Sequence, residues 1–72
     1  DESNAMPPIS PLTEQETKIL RLLAAGKTTA EVSAELNISA PTLRNHMSNI
    51  NHKVHTTSRI AAVVQALKRG LI

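Results

Sequence analysis

The stretch Ile38-Ser39-Ala40-Pro41-Thr42-Leu43-Arg44-Asn45-His46-Met47-Ser48-Asn49-Ile50-Asn51-His52-Lys53-Val54 decides the fold. Leu43, Met47, Ile50 and Val54 recur at steps of four, three and four, which sets one apolar stripe along a helix. That stripe turns Arg44, Asn45, Ser48 and Asn51 the other way. Their side chains offer a guanidinium, two carboxamides and a hydroxyl with no carboxylate among them, a donor-rich mixture that suits phosphates and base edges. Ser39 is a favourable N-cap, and Pro41 in the first turn forfeits no hydrogen bond because the first N–H groups of a helix are unpaired anyway. Those spare N–H groups, with the hydroxyls of Ser39 and Thr42, suit a backbone phosphate.

Working outward, the turn Leu36-Asn37-Ile38-Ser39 is short, and Asn37 is the non-glycine residue that best tolerates positive φ. Ile38 is then expected to point into the core. The preceding helix is short, about residues 29 to 36, opened by Thr28-Thr29-Ala30-Glu31 and carrying Val32 and Leu36, with the small Ser33 placed for close helix approach. Before it, Thr13-Glu14-Gln15-Glu16 forms a capping box that starts a first helix. Ile19, Leu20, Leu22 and Leu23 supply its buried face, and Gly26 supplies a left-handed stop. The third helix is expected to run from about Ala40 to His55, and the Thr56-Thr57-Ser58 cluster ends it. A fourth, about residues 59 to 69, stops before Gly70. Ala62 and Ala66 make its small, inward face, which leaves part of the larger face of Ile60, Val63, Val64 and Leu67 for a second subunit.

The 72 residues allow one domain with a thin core. There is no Cys, so no disulfide framework, thiolate nucleophile or cysteine zinc site. No apolar run approaches a membrane span and no signal-peptide pattern is present, which predicts a cytoplasmic domain without a membrane partner. Phe, Tyr and Trp are all absent, which removes the aromatic platforms used on single strands and favours duplex if the partner is nucleic acid. All six acids lie before residue 36, whereas five basic residues and three His follow Asn37 with no acid between them. That asymmetry is the footprint of a polyanion-binding face. Ser3-Asn4-Ala5 before Met6 has the look of a cleaved affinity tag, so residues 1–5 are set aside as a tag remnant. Their removal takes out Asp1 and Glu2 and raises the formal charge from +2 to +4. Residues 6–11, rich in proline, read as an extended lead-in or the end of a linker, and 12–72 as the domain.

Histidine invites other chemistry. His46, between Leu43 and Met47, is expected to be a buried, hydrogen-bonded structural residue, and His52 and His55 could share a face. Without Cys or a nearby carboxylate they do not make up a tetrahedral metal set, and no nucleophile, base and orienting acid cluster in the sequence. The expectation is a non-enzymatic protein with no cofactor and no metal.

Four short helices with a tight turn between the second and third make an all-α helix-turn-helix domain on pattern alone. The residues go further. Leu12-Thr13 with Glu16, Ile19-Leu20, Leu23-Ala24, Gly26, Glu31-Val32, Leu36, Ile38-Ser39, Thr42-Leu43, His46, Asn49-Ile50, Lys53, Arg59, Ala62, Ala66 and Gly70-Leu71-Ile72 resemble, as an ordered set, the LuxR-type (GerE-like) DNA-binding domain. The resemblance implies an output module of response regulators and autoinducer-binding transcription factors, with the third helix for recognition and the fourth for dimerisation. It places Arg44, Asn45 and Ser48 at base-reading positions in the major groove, and Thr29, Ser39, Thr42 and Lys53 at phosphate-holding ones. Double-stranded DNA, a second copy of the chain through Ile60, Val63, Val64 and Leu67, and RNA polymerase are the partners it implies. The chain departs from the family pattern at Gln15 and Ala30, where Arg and Lys are frequent, at Pro41 and Ser48, where Lys occurs, and at His55 in place of a common Gly. Fewer cations imply weaker phosphate anchoring. The competing reading is a helical protein-interaction module, or a helix-turn-helix domain that has lost its DNA.

Overall fold

The computed structural model describes residues 12–72, so the tag remnant and the lead-in expected over residues 1–11 lie outside the described residues. Four helices follow in order, α1 (Glu14–Ala24), α2 (Thr29–Leu36), α3 (Ala40–Val54) and α4 (Arg59–Lys68), and no strand occurs among the described residues. Each begins on a hydroxyl. Thr13, Thr28, Ser39 and Ser58 are the N-caps, their oxygens accepting from the N–H of Glu16 at 3.1 Å, Glu31 at 3.1 Å, Thr42 at 3.2 Å and Ala61 at 3.1 Å. The first two caps are complete boxes, because Glu16 and Glu31 reach back to the N–H of Thr13 and Thr28 at 2.9 and 2.8 Å.

Each helix also ends on a left-handed residue: Gly26 (φ 95°), Asn37 (φ 58°), His55 (φ 61°) and Gly70 (φ 71°). The reversal lets the next N–H fold back on an orphan carbonyl, as in Lys27 to Leu22 at 3.2 Å, Ile38 to Ser33 at 3.0 Å, Thr56 to Asn51 at 2.9 Å and Leu71 to Ala66 at 2.8 Å. α3 therefore stops at Val54, one residue short of the sequence expectation, because His55 takes the left-handed position.

The core is built from one or two side chains per turn. Ile19 and Leu20 of α1, Val32 of α2, Leu43, Ile50 and Val54 of α3, and Ala62 and Ala66 of α4 are buried. Leu22, Leu23, Ile38, Met47 and Val63 pack against them while half buried, so the inner faces expected for α1 and α3 are met only in part. Small residues let α4 lie close to its neighbours. Ala62 and Ala66 are wholly buried, while Ile60 is 71% and Leu67 55% exposed. Helices α1 and α3 each approach all the others, but the backbones of α2 and α4 do not come close to each other. The consequence is a cleft floored by α3.

Candidate nucleic-acid interface

The N-terminal half of α3 carries the solvent-facing polar group. Leu43 and Ile50 anchor the helix inward, and Arg44, Asn45 and Ser48 are exposed on the opposite side. Arg44 has no hydrogen bond or ion pair among the described residues. At the start of the helix Ser39 and Thr42 are exposed and joined, the Ser39 hydroxyl donating to Thr42 Oγ1 at 2.8 Å. Thr29, half buried at the first position of α2, lines the same cleft as Arg44, so the structure brings these two together across the helix-turn-helix.

The C-terminal half of α3 is used differently. Lys53 Nζ lies 2.7 Å from Glu16 Oε1, with the two side chains 23% and 4% exposed. The same oxygen accepts from the Thr13 N–H, so one carboxylate oxygen closes the α1 capping box and ties α1 to the end of α3. Lys53, expected to hold a phosphate, is paired within the fold with a nearly buried anion. Burial pushes the Glu16 pKa up, but the hydrogen bonds and charge of Lys53 together with the bonds from Thr13 outweigh it and hold the group below its ordinary 4.5. Asn51, expected on the outward face, is half buried and accepts from Thr56 Oγ1 at 2.9 Å. His46 is half buried rather than buried. It lines a surface hollow with Thr13, Glu16 and Lys53.

On α4, Ile60, Val64 and Leu67 form the exposed apolar face. Val63 departs from the expected set, because it is half buried against the core, although it shares a shallow hollow with Ile60, Val64 and Leu23 of α1. Sequence reasoning left Arg59 without a role. It stands at the first turn of α4, exposed and unpaired among the described residues, on the far wall of the cleft from Thr29. Its signal was available as a cation in a stretch with no acid to neutralise it.

Comparison with known proteins gives a consistent result. A family model described as bacterial regulatory proteins, luxR family, matches residues 10–66. The spore germination protein GerE of Bacillus subtilis (strain 168) is 44% identical over 59 residues, covering 82% of this chain and 80% of that protein. The transcriptional regulatory protein DesR of the same organism is 39% identical over 61 residues, 85% of this chain and 31% of DesR. Among solved structures, that of the transcription factor GerE superposes with a TM-score of 0.77 at 38% identity, covering 85% of this chain and 91% of the other. The response regulator ChrA of a heme-sensing two-component system gives 0.84 at 30% identity, covering 99% of this chain and 35% of that one. The chain thus spans about a third of the length of DesR and ChrA, and four fifths of GerE.

Proposed function

The chain belongs to the luxR family of bacterial regulatory proteins, and from that membership we propose that it binds duplex DNA sequence-specifically, as the output domain of a transcriptional regulator. The observation that carries this reading is the exposed face of Arg44, Asn45 and Ser48 on a helix that bears no acid. Arg44 would donate to guanine O6 and N7 in the major groove, while Asn45 and Ser48 would discriminate neighbouring bases. The hydroxyls and first-turn N–H groups around Thr29, Ser39 and Thr42 would fix the register on backbone phosphates. Lys53 leaves this set because of its pairing with Glu16.

The exposed Ile60, Val64 and Leu67, with the edge of Val63, would bury themselves against the same surface of a second copy on a two-fold DNA site. RNA polymerase in the cytoplasm is the machinery that such a regulator would act on. Enrichment from a random duplex library supplies the preferred site. The logarithm of the chain's affinity for that site should fall linearly with the logarithm of salt concentration. Arg44→Ala should cost about 1–3 kcal/mol at one base-pair position and relax the preference there. Undetectable duplex binding at low salt would replace this reading with that of a helical protein-interaction module.

A further inference from the structure

The cleft between α2 and α4 has a volume of about 440 Å³. Its polar lining is dominated by donors. Arg44 and Asn51 stand on the α3 floor and Arg59 on the α4 wall, and no carboxylate lines the cavity. Neither guanidinium has an intramolecular hydrogen bond or ion pair among the described residues, in contrast to Lys53 and to Lys27, which lies 3.7 Å from Glu35. Asn51 is oriented: its Oδ1 is occupied by the Thr56 hydroxyl at 2.9 Å, which leaves its two amide N–H donors for whatever enters. The remaining surface comes from apolar groups such as Ala30, Leu43 and Met47. An apolar floor beside charged donors suits a ligand with the same alternation, and a nucleic-acid backbone presents an apolar deoxyribose next to an anionic phosphate.

We propose that this cleft seats one sugar–phosphate unit of duplex DNA, with Arg59 and the Asn51 amide as its phosphate ligands. The proposal rests on the reading of α3 as the DNA-facing helix. It moves the backbone anchor from the internally neutralised Lys53 to an arginine on the opposite side of the helix-turn-helix.

The test is fluorescence anisotropy of the wild type, Arg59→Gln and Asn51→Asp on mixed-sequence duplexes over a salt series, with thermal melts to establish that each variant is folded. Arg59→Gln should weaken every duplex by about tenfold, the range of a lost hydrogen bond to a charged group. It should also reduce the slope of log affinity against log salt by about 0.9. Asn51→Asp keeps the acceptor for Thr56 but brings a carboxylate to the cleft, and should weaken binding further still. Inorganic phosphate at matched ionic strength should displace duplex no better than chloride does. Saturable displacement by phosphate would make the cleft a free-anion site and overturn the proposal. An unchanged slope and affinity in Arg59→Gln would overturn it too, and if Arg44→Ala still altered base preference, the reading of α3 would survive. A wild type that binds no duplex at low salt takes down both.

Discussion

Arg44 and Lys53 lie about two and a half turns apart on α3 and are both cations with one polar and one apolar neighbour in the chain, yet the fold puts them to opposite uses. Arg44 is exposed and unpaired among the described residues, with Asn45 and Ser48 beside it, on the half of the helix whose inner side is closed by Leu43. Lys53 sits against the start of α1, where Glu16 is 3% exposed and takes its ammonium at 2.7 Å. The face of Arg44, Asn45 and Ser48 is therefore left exposed, whereas Lys53 is drawn into the contact between α3 and α1. The difference does not come from the helix itself. It comes from what stands opposite: the open cleft at one end, a capped carboxylate at the other.

The largest expected effect tests that division. Lys53→Met keeps the aliphatic bulk but leaves the Glu16 carboxylate without its cation. Breaking a buried pair on one side costs about 3–5 kcal/mol, and the partial exposure of Lys53 reduces this to about 2–4 kcal/mol. Urea unfolding should show that loss, and adding Glu16→Gln should recover part of it. Arg44→Met should stay within about 0.5 kcal/mol of the wild type in the same assay. If Lys53→Met instead keeps full stability and weakens all duplexes alike, the lysine is a phosphate ligand after all and the contrast between the two ends collapses.

A smaller effect follows from the titration of Glu16. Its carboxyl is held below 4.5 in the fold, so the unfolded chain binds the proton more readily than the native one in that window. The stabilisation it contributes is complete above about 4.5 and is lost as the pH falls through the lower, folded value. Stability measured from neutral pH downward should drop there. The drop should be shallower in Lys53→Met, which removes the hydrogen bond and the charge that lower the pKa. Identical acid profiles for the two proteins would mean that Thr13 alone keeps Glu16 ionised.

What the sequence made legible was local. Thr13 with Glu16 and Thr28 with Glu31 announce helix starts within four residues, and Gly26 and Asn37 announce stops, because capping depends on backbone groups one turn away. The small inner face of α4 could also be read, since Ala62 and Ala66 differ so plainly in size from Ile60 and Leu67. The role of Lys53 could not, because its partner is 37 residues away and the pairing is made by tertiary packing. Asn51 read as outward by periodicity alone, but Thr56 reaches it only because the chain turns at His55. The cleft was invisible for a different reason: it exists because the backbones of α2 and α4 stay apart. The small Ser33, expected to admit a close helix, lines that opening instead.

The smallest effect concerns the residue that ends α3. His55 holds φ 61°, a left-handed conformation that places Cβ against the following carbonyl, and it does so where a glycine would be unstrained. Relief of that strain in His55→Gly is opposed by the greater freedom of glycine in the unfolded chain, so the net gain should be about 0.5–1 kcal/mol in thermal or urea unfolding. Asn37→Gly, at φ 58°, should gain less, because asparagine tolerates the left-handed region better than histidine does. Neither change touches Arg44, Asn45 or Ser48, so duplex affinity should stay level while stability rises. A loss of stability in His55→Gly would show that what the histidine side chain contributes outweighs the backbone strain. The C-terminal half of α3 would then be held by two side chains, His55 as well as Lys53, and the contrast with its freely exposed N-terminal half would sharpen.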